Sequence, residues 1–192
     1  MKGVNENSAK IDDKGQLLRP SRPRTFKHPG KPNPIRIQSE NSPQARHFRL
    51  AMAPGKSMFE ALVEPLAKMK VYNASLTIFG GEYDSLSFCV APPDPKKQAV
   101  IAYSKPIRAG KTQMIFGNAT LGESMEGKPL VHCHAAILTG DGQIKGGHII
   151  TENSIIGAKT IFALVTSFDG IKLLQSFDPE TNIALLQPVR GN

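Results

Sequence analysis

The chain has 192 residues, 40% of them hydrophobic and 21% charged, enough for one packed domain and too apolar for wholesale disorder. No run of eighteen apolar residues occurs, which excludes a membrane-spanning helix. The net charge of +8 is segregated: residues 1–49 hold eleven Lys or Arg against four Asp or Glu, a net of +7, whereas residues 50–192 hold thirteen against twelve, a net of +1.

Residues 1–45 read as a basic, Pro-rich arm. Pro20, Pro23, Pro29, Pro32, Pro34 and Pro43, with few apolar neighbours, predict extended or polyproline-like backbone. Arg19, Arg22, Arg24, Lys27 and Lys31 fall in its densest stretch. An Arg-Pro-Arg segment suits a narrow A·T minor groove, where negative potential is concentrated. An AT-hook carries Gly-Arg-Pro, whereas this chain has Ser21-Arg22-Pro23, so a solvated or self-packed arm stands beside the DNA reading. The opening Met1-Lys2-Gly3-Val4-Asn5-Glu6 has no apolar signal region, which points away from secretion.

Residues 46–192 read as the folded body. Ser57-Met58-Phe59-Glu60 has capping-box spacing, and Met58, Ala61, Leu62, Leu66 and Met69 recur at helical spacing. They predict a helix over 57–69, strained at Pro65. Beyond it, apolar or alternating runs bounded by Gly, Pro or Asp predict strands at 74–79, 86–90, 99–103, 113–117, 130–138, 143–150, 160–166, 171–175 and 183–186. The expected class is α+β, a mostly antiparallel sheet with one main helix packed on it. Cys89 and Cys133 lie far apart and outside any Cys-x-x-Cys pattern, which fits a reducing cytoplasm and excludes a disulfide scaffold or zinc ribbon.

Three of the five histidines fall within seventeen residues: His132, His134 and His148. On a strand His132 and His134 share a face. Thr139-Gly140-Asp141-Gly142-Gln143 is a hairpin signal, and its register decides where His148 lies. A two-residue Asp141-Gly142 turn sets residue 148 opposite Ala135, on the other face. A three-residue Gly140-Asp141-Gly142 loop sets it opposite His134, on the same face. Three converging neutral imidazoles suit Zn²⁺ or a similar divalent ion, with a coordination position left open. The alternative is ordinary strand histidines hydrogen-bonded to backbone. Cys133 falls on the opposite face and reads as core.

Gly127-Lys128-Pro129-Leu130-Val131-His132-Cys133-His134, followed by Asp141-Gly142-Gln143-Ile144-Lys145-Gly146-Gly147-His148, closely resembles the signature of the PPC (plants and prokaryotes conserved) domain. Phe48-Arg49-Leu50, Pro54-Gly55, Gly80-Gly81 and Gly110 to Gly117 match in order, over about residues 46–170. The resemblance implies a largely antiparallel domain, typically trimeric. In plants this domain follows AT-hooks in nuclear DNA-associated proteins, and prokaryotic members are commonly named as DNA-binding by analogy. It also implies that His132, His134 and His148 match a prokaryotic histidine pattern that looks like a metal site.

Two functions compete, beside the reading that a metal, or the histidines alone, simply stabilise the subunit or its interface. One is a homotrimeric PPC-type assembly module with a histidine metal site and an arm that touches DNA through Lys and Arg. The other is a metal-dependent enzyme acting on an unidentified small molecule through a metal-bound water. Glu123, Glu126, Asp141 and Glu152 are the carboxylates nearest in sequence to the histidines, and no motif places them. Nucleophile elbows, phosphate-cradling loops and dinucleotide fingerprints are missing from the sequence. An enzymatic role is therefore the weaker expectation.

Overall fold

The computed structural model describes residues 26–191. Among these residues the elements follow as β1 (His47–Met52), α1 (Met58–Lys68), β2 (Ala74–Cys89), β3 (Ile107–Glu123), β4 (Pro129–Thr139), β5 (Ile144–Ile149), β6 (Ile155–Ile156), β7 (Ile161–Ser167), β8 (Ile171–Asp178) and β9 (Ile183–Arg190). A single 3-10 turn, Thr151–Asn153, precedes β6.

The helix forms where its local signals say. The Ser57 hydroxyl accepts from the Glu60 amide at 3.1 Å, and the Glu60 carboxylate accepts from the Ser57 amide at 3.1 Å, closing the capping box. Met58, Ala61, Leu62 and Leu66 make one buried stripe. Pro65 lies inside the helix, where it removes a donor from the Ala61 carbonyl. The helix ends within a turn, as Lys70 adopts a left-handed φ of 57° and the Val71 amide donates back to Leu66 at 2.9 Å.

The sheet runs β1-β7-β2-β5-β4-β3-β8-β9, with β6 on β2 and a further pairing of β2 with β3, so that β2, β3, β4 and β5 close a circuit. The pairing of β3 with β8 is parallel, at Glu123 opposite Leu174, and the others are antiparallel. Alternate residues build two unlike faces. Leu76, Ile78, Met114, Ala119, Leu121, Val131, Cys133 and Ile137 join α1 in one core. Phe79 opposite Phe116, together with Phe162 and Leu164 on β7, points the other way at 44%, 50%, 38% and 50% exposure.

The expected α+β class is corrected to mostly β: 52% of the structure is strand and 8% helical. Strands read as separate pieces are continuous. The stretches 74–79 and 86–90 are one 16-residue strand, and 113–117 grows to the 17 residues of β3. Gly80 and Gly81 mark close backbone approach within β2. A Cβ at Gly80 would lie 2.7 Å from the Met114 carbonyl oxygen, and one at Gly81 2.4 Å from the Ile161 side chain. The run 99–103 is not a strand; it belongs to a loop with one isolated bridge, Pro93 to Ile101. With such long strands and an 11-residue helix, α1 covers part of one sheet face rather than forming a layer.

Candidate metal centre

The site is built on the β4–β5 hairpin. The Thr139 amide donates to the Gln143 carbonyl at 2.9 Å, the Gly142 amide donates to Thr139 at 2.9 Å, and Gly142 has φ +79°. This is the three-residue loop with glycine at the left-handed position. Leu138 therefore pairs with Ile144, Ala135 with Gly147, and His134 with His148. Gly146 and Gly147 let β5 fit between its neighbours. A Cβ at Gly146 would lie 2.6 Å from the Ala135 oxygen, and one at Gly147 2.4 Å from the Cys89 oxygen.

The three imidazoles consequently share the outer face. Ring centroids lie 4.9 Å apart for His132 and His134, 4.7 Å for His132 and His148, and 5.5 Å for His134 and His148. One nitrogen from each ring lies within 4.8 Å of the others. His132 and His148 are half-buried and His134 is exposed. Burial, reinforced by the neighbouring histidines, pushes the His132 imidazole down to about 4, and burial likewise lowers His148. Both rings are thereby held neutral near pH 7, with lone pairs free to ligate. The Nδ1 of His148 is buried and has no hydrogen-bond partner among the described residues. An orphaned buried nitrogen in a cluster of neutral imidazoles fits a divalent ion.

The surroundings hold residues that sequence reasoning missed. Tyr103 packs against His148 in a tilted arrangement, 5.4 Å between centroids. Cys89 lies opposite His148 on β2, its Sγ 3.8 Å from the His148 carbonyl, and burial raises its thiol pKa. Thr120 and Asn118 on β3 sit opposite His132 and His134. A cleft of about 810 Å³ opens beside His132 and His148, with Leu173, Gln175 and Ile183 to Leu186 of β8 and β9 on its far side. Only the alternation of β3 hinted at Thr120; Tyr103 and Cys89 carried no local signal.

Other candidates stay apart. Glu123, Glu126, Asp141 and Glu152 are not members of the histidine group. Asp141 accepts from the Thr139 hydroxyl in the hairpin loop, and Glu152 accepts from Thr151. Cys133 is fully buried in the core, and both cysteines are free. Of the basic arm residues, Lys27 and Lys31 are exposed, whereas Arg19, Arg22 and Arg24 lie outside the described residues. The end of the arm is docked on the β8–β9 turn. The buried Glu180 carboxylate accepts from Arg36 Nη1 at 2.6 Å, the Asn33 amide at 2.7 Å and His28 Nδ1 at 2.7 Å. These donors, Arg36 foremost, hold its pKa down to about 2.

Residues 39–169 match the Plants and Prokaryotes Conserved (PCC) domain. The chain belongs to this family. Solved structures share the PCC fold at low identity. A metal-containing protein from Archaeoglobus fulgidus is 18% identical with a TM-score of 0.60, covering 79% of this chain and 99% of its own. A plant- and prokaryote-conserved protein from Pyrococcus horikoshii is 16% identical with a TM-score of 0.58, covering 82% and 99%. A candidate DNA-binding protein from Ralstonia eutropha JMP134 is 19% identical with a TM-score of 0.57, covering 72% and 88%. No curated protein matches the chain. No helix among the described residues is long and apolar enough to cross a membrane.

Proposed function

We propose that this PCC protein is a metal-binding assembly module, a homotrimer in which residues 46–192 form the assembling body and the basic arm of residues 1–45 contacts DNA. The observation that carries the reading is the convergence of His132, His134 and His148, with one ring nitrogen of each within 4.8 Å of the others. Imidazole donors with room for a further ligand suit Zn²⁺, the ion this reading assigns to the site. When bound, such an ion supplies Lewis acidity at that open position. The chain's own residues set the conditions: burial keeps His132 and His148 neutral, and the β4–β5 register holds all three rings on one face.

Supporting the trimer is the apolar outer face around Phe79, Phe116, Phe162 and Leu164, a contiguous patch of the kind that marks interfaces. Supporting DNA contact are the net charge of +5 on residues 1–45, nine Lys or Arg against four Asp or Glu, which three copies would multiply by avidity, and the naming of the Ralstonia neighbour. Two free, buried cysteines suit a reducing compartment, so we place the protein in the cytoplasm. The second reading, a metal-dependent enzyme acting on a small molecule, is favoured by the cleft beside His132 and His148.

Metal analysis, light scattering and a salt series of DNA binding on the purified protein test the proposal. It expects one zinc per chain, three times the chain mass, and duplex affinity falling about a thousandfold between 50 and 200 mM salt for about six phosphate contacts. Metal-free protein that also fails to take up added zinc, a monomer at micromolar concentration, or salt-independent binding would overturn the corresponding part.

A further inference from the structure

We propose that the cleft beside the histidines binds a small amphipathic carboxylic acid, its carboxylate at the histidine-held metal and its apolar chain along the β8–β9 wall. The inference rests on the metal reading of His132, His134 and His148 and adds the ligand class. Size is the first argument: about 810 Å³ is within the range of small-molecule sites. Polarity is the second. Leu130, Ile150, Leu173, Ile183 and Leu185 line the cleft, and Thr120, Gln175 and Tyr103 are its neutral polar groups. Charge is the third. Among the described residues none lining the cleft is Asp, Glu, Lys or Arg, and three imidazole ligands, uncharged when they ligate, leave both charges of a divalent ion uncompensated. In a half-buried site that imbalance selects an anionic head over a neutral or cationic one. The Thr120 hydroxyl and Gln175 amide supply donors for a carboxylate oxygen. The β8–β9 wall, Ile171–Arg190, lies outside the family match of residues 39–169, so the ligand class is written in the C-terminal hairpin rather than in the histidine motif.

The test uses the full chain loaded with Co²⁺, whose visible bands report ligand exchange, titrated calorimetrically at pH 7.5 with acetate, butyrate, hexanoate and octanoate. Affinity is expected to rise about three- to fourfold per methylene, the fold-change for burying a CH₂. Each acid should shift the cobalt bands, and hexylamine should not. Ala184→Trp and Leu185→Trp are neighbours on β9 whose side chains alternate, so at least one narrows the cleft. That variant should flatten the chain-length series while leaving the acid-free cobalt spectrum unchanged. Cobalt bound with equal affinity for acetate and octanoate, bands unmoved by acids that do bind, or an unaltered series in both variants would each overturn the inference alone. Failure to bind cobalt or zinc at all would overturn the metal reading beneath it.

Discussion

The face of the sheet that packs on α1 and the face that carries the three histidines are made by alternate residues of the same strands. On β4, Val131 and Cys133 go inward to the core while His132 and His134 go outward. On β2 and β3, Ile78 and Met114 are fully buried, yet Phe79 and Phe116 stand half exposed. The inner apolar residues pack on one another and on α1. On the outer face, His148 keeps a buried nitrogen without a partner among the described residues, and four large apolar side chains face outward. The contrast separates stability from function. The inner face accounts for the fold, and the outer face carries the groups on which the proposed metal and subunit contacts rest.

The comparison breaks most directly on its stable side. Leu62→Ala, at a fully buried position of α1, should cost about 2–5 kcal/mol in urea unfolding, whereas Leu164→Ala on the outer face should stay within about 1 kcal/mol and act instead on the light-scattering mass. Equal costs at the two positions would show that the outer face is packed by this chain after all.

Next comes the metal. His148→Ala should lower zinc affinity by more than the about 10–100-fold typical of losing a supporting group, because a direct ligand is lost. The metal-free variant should unfold no earlier than the parent, since the change deletes a buried unpaired nitrogen. Unchanged zinc affinity by calorimetry would remove His148 from the site.

A pH series sharpens the comparison further. His132 titrates near 4 in the folded chain against 6.5 for the ordinary imidazole, so the unfolded chain binds more protons between those values. Stability of the metal-free protein should therefore be full above about pH 6.5 and decline as pH falls toward about 4. His132→Gln should flatten that part of the curve. Proton competition with a metal, expected below about pH 6 for unperturbed imidazoles, is moved lower at this ring by the same burial.

The smallest effect concerns the arm. Glu180→Gln weakens the charge-assisted bonds from Arg36 and His28, and should speed limited proteolysis before residue 36 with little change in unfolding. Because residues 28–36 are docked, deletion of residues 1–26 is the cleaner test of DNA binding than deletion of 1–45, which would leave Glu180 buried without donors. A shorter deletion that binds duplex DNA as well as the full chain would exclude the arm.

Local chemistry by itself determined much of this protein. The capping box and apolar stripe set α1 within a residue at each end, His-x-His placed two rings on one face, and Gly140 to Gly142 marked the hairpin. Such signals act over three or four residues, so they survive being read in isolation. The tertiary structure decided the rest. Register had two solutions in the sequence, and cross-strand packing chose the one that sets His148 beside His134. Gly80 and Gly81 sit in a strand context, but only the folded sheet shows that Met114 and Ile161 are what press on them. Cys89, Tyr103 and the β8–β9 wall reach the histidines from positions up to 59 residues away in the chain. Their roles come from contacts distant in sequence, and no local pattern encodes which distant strands will meet.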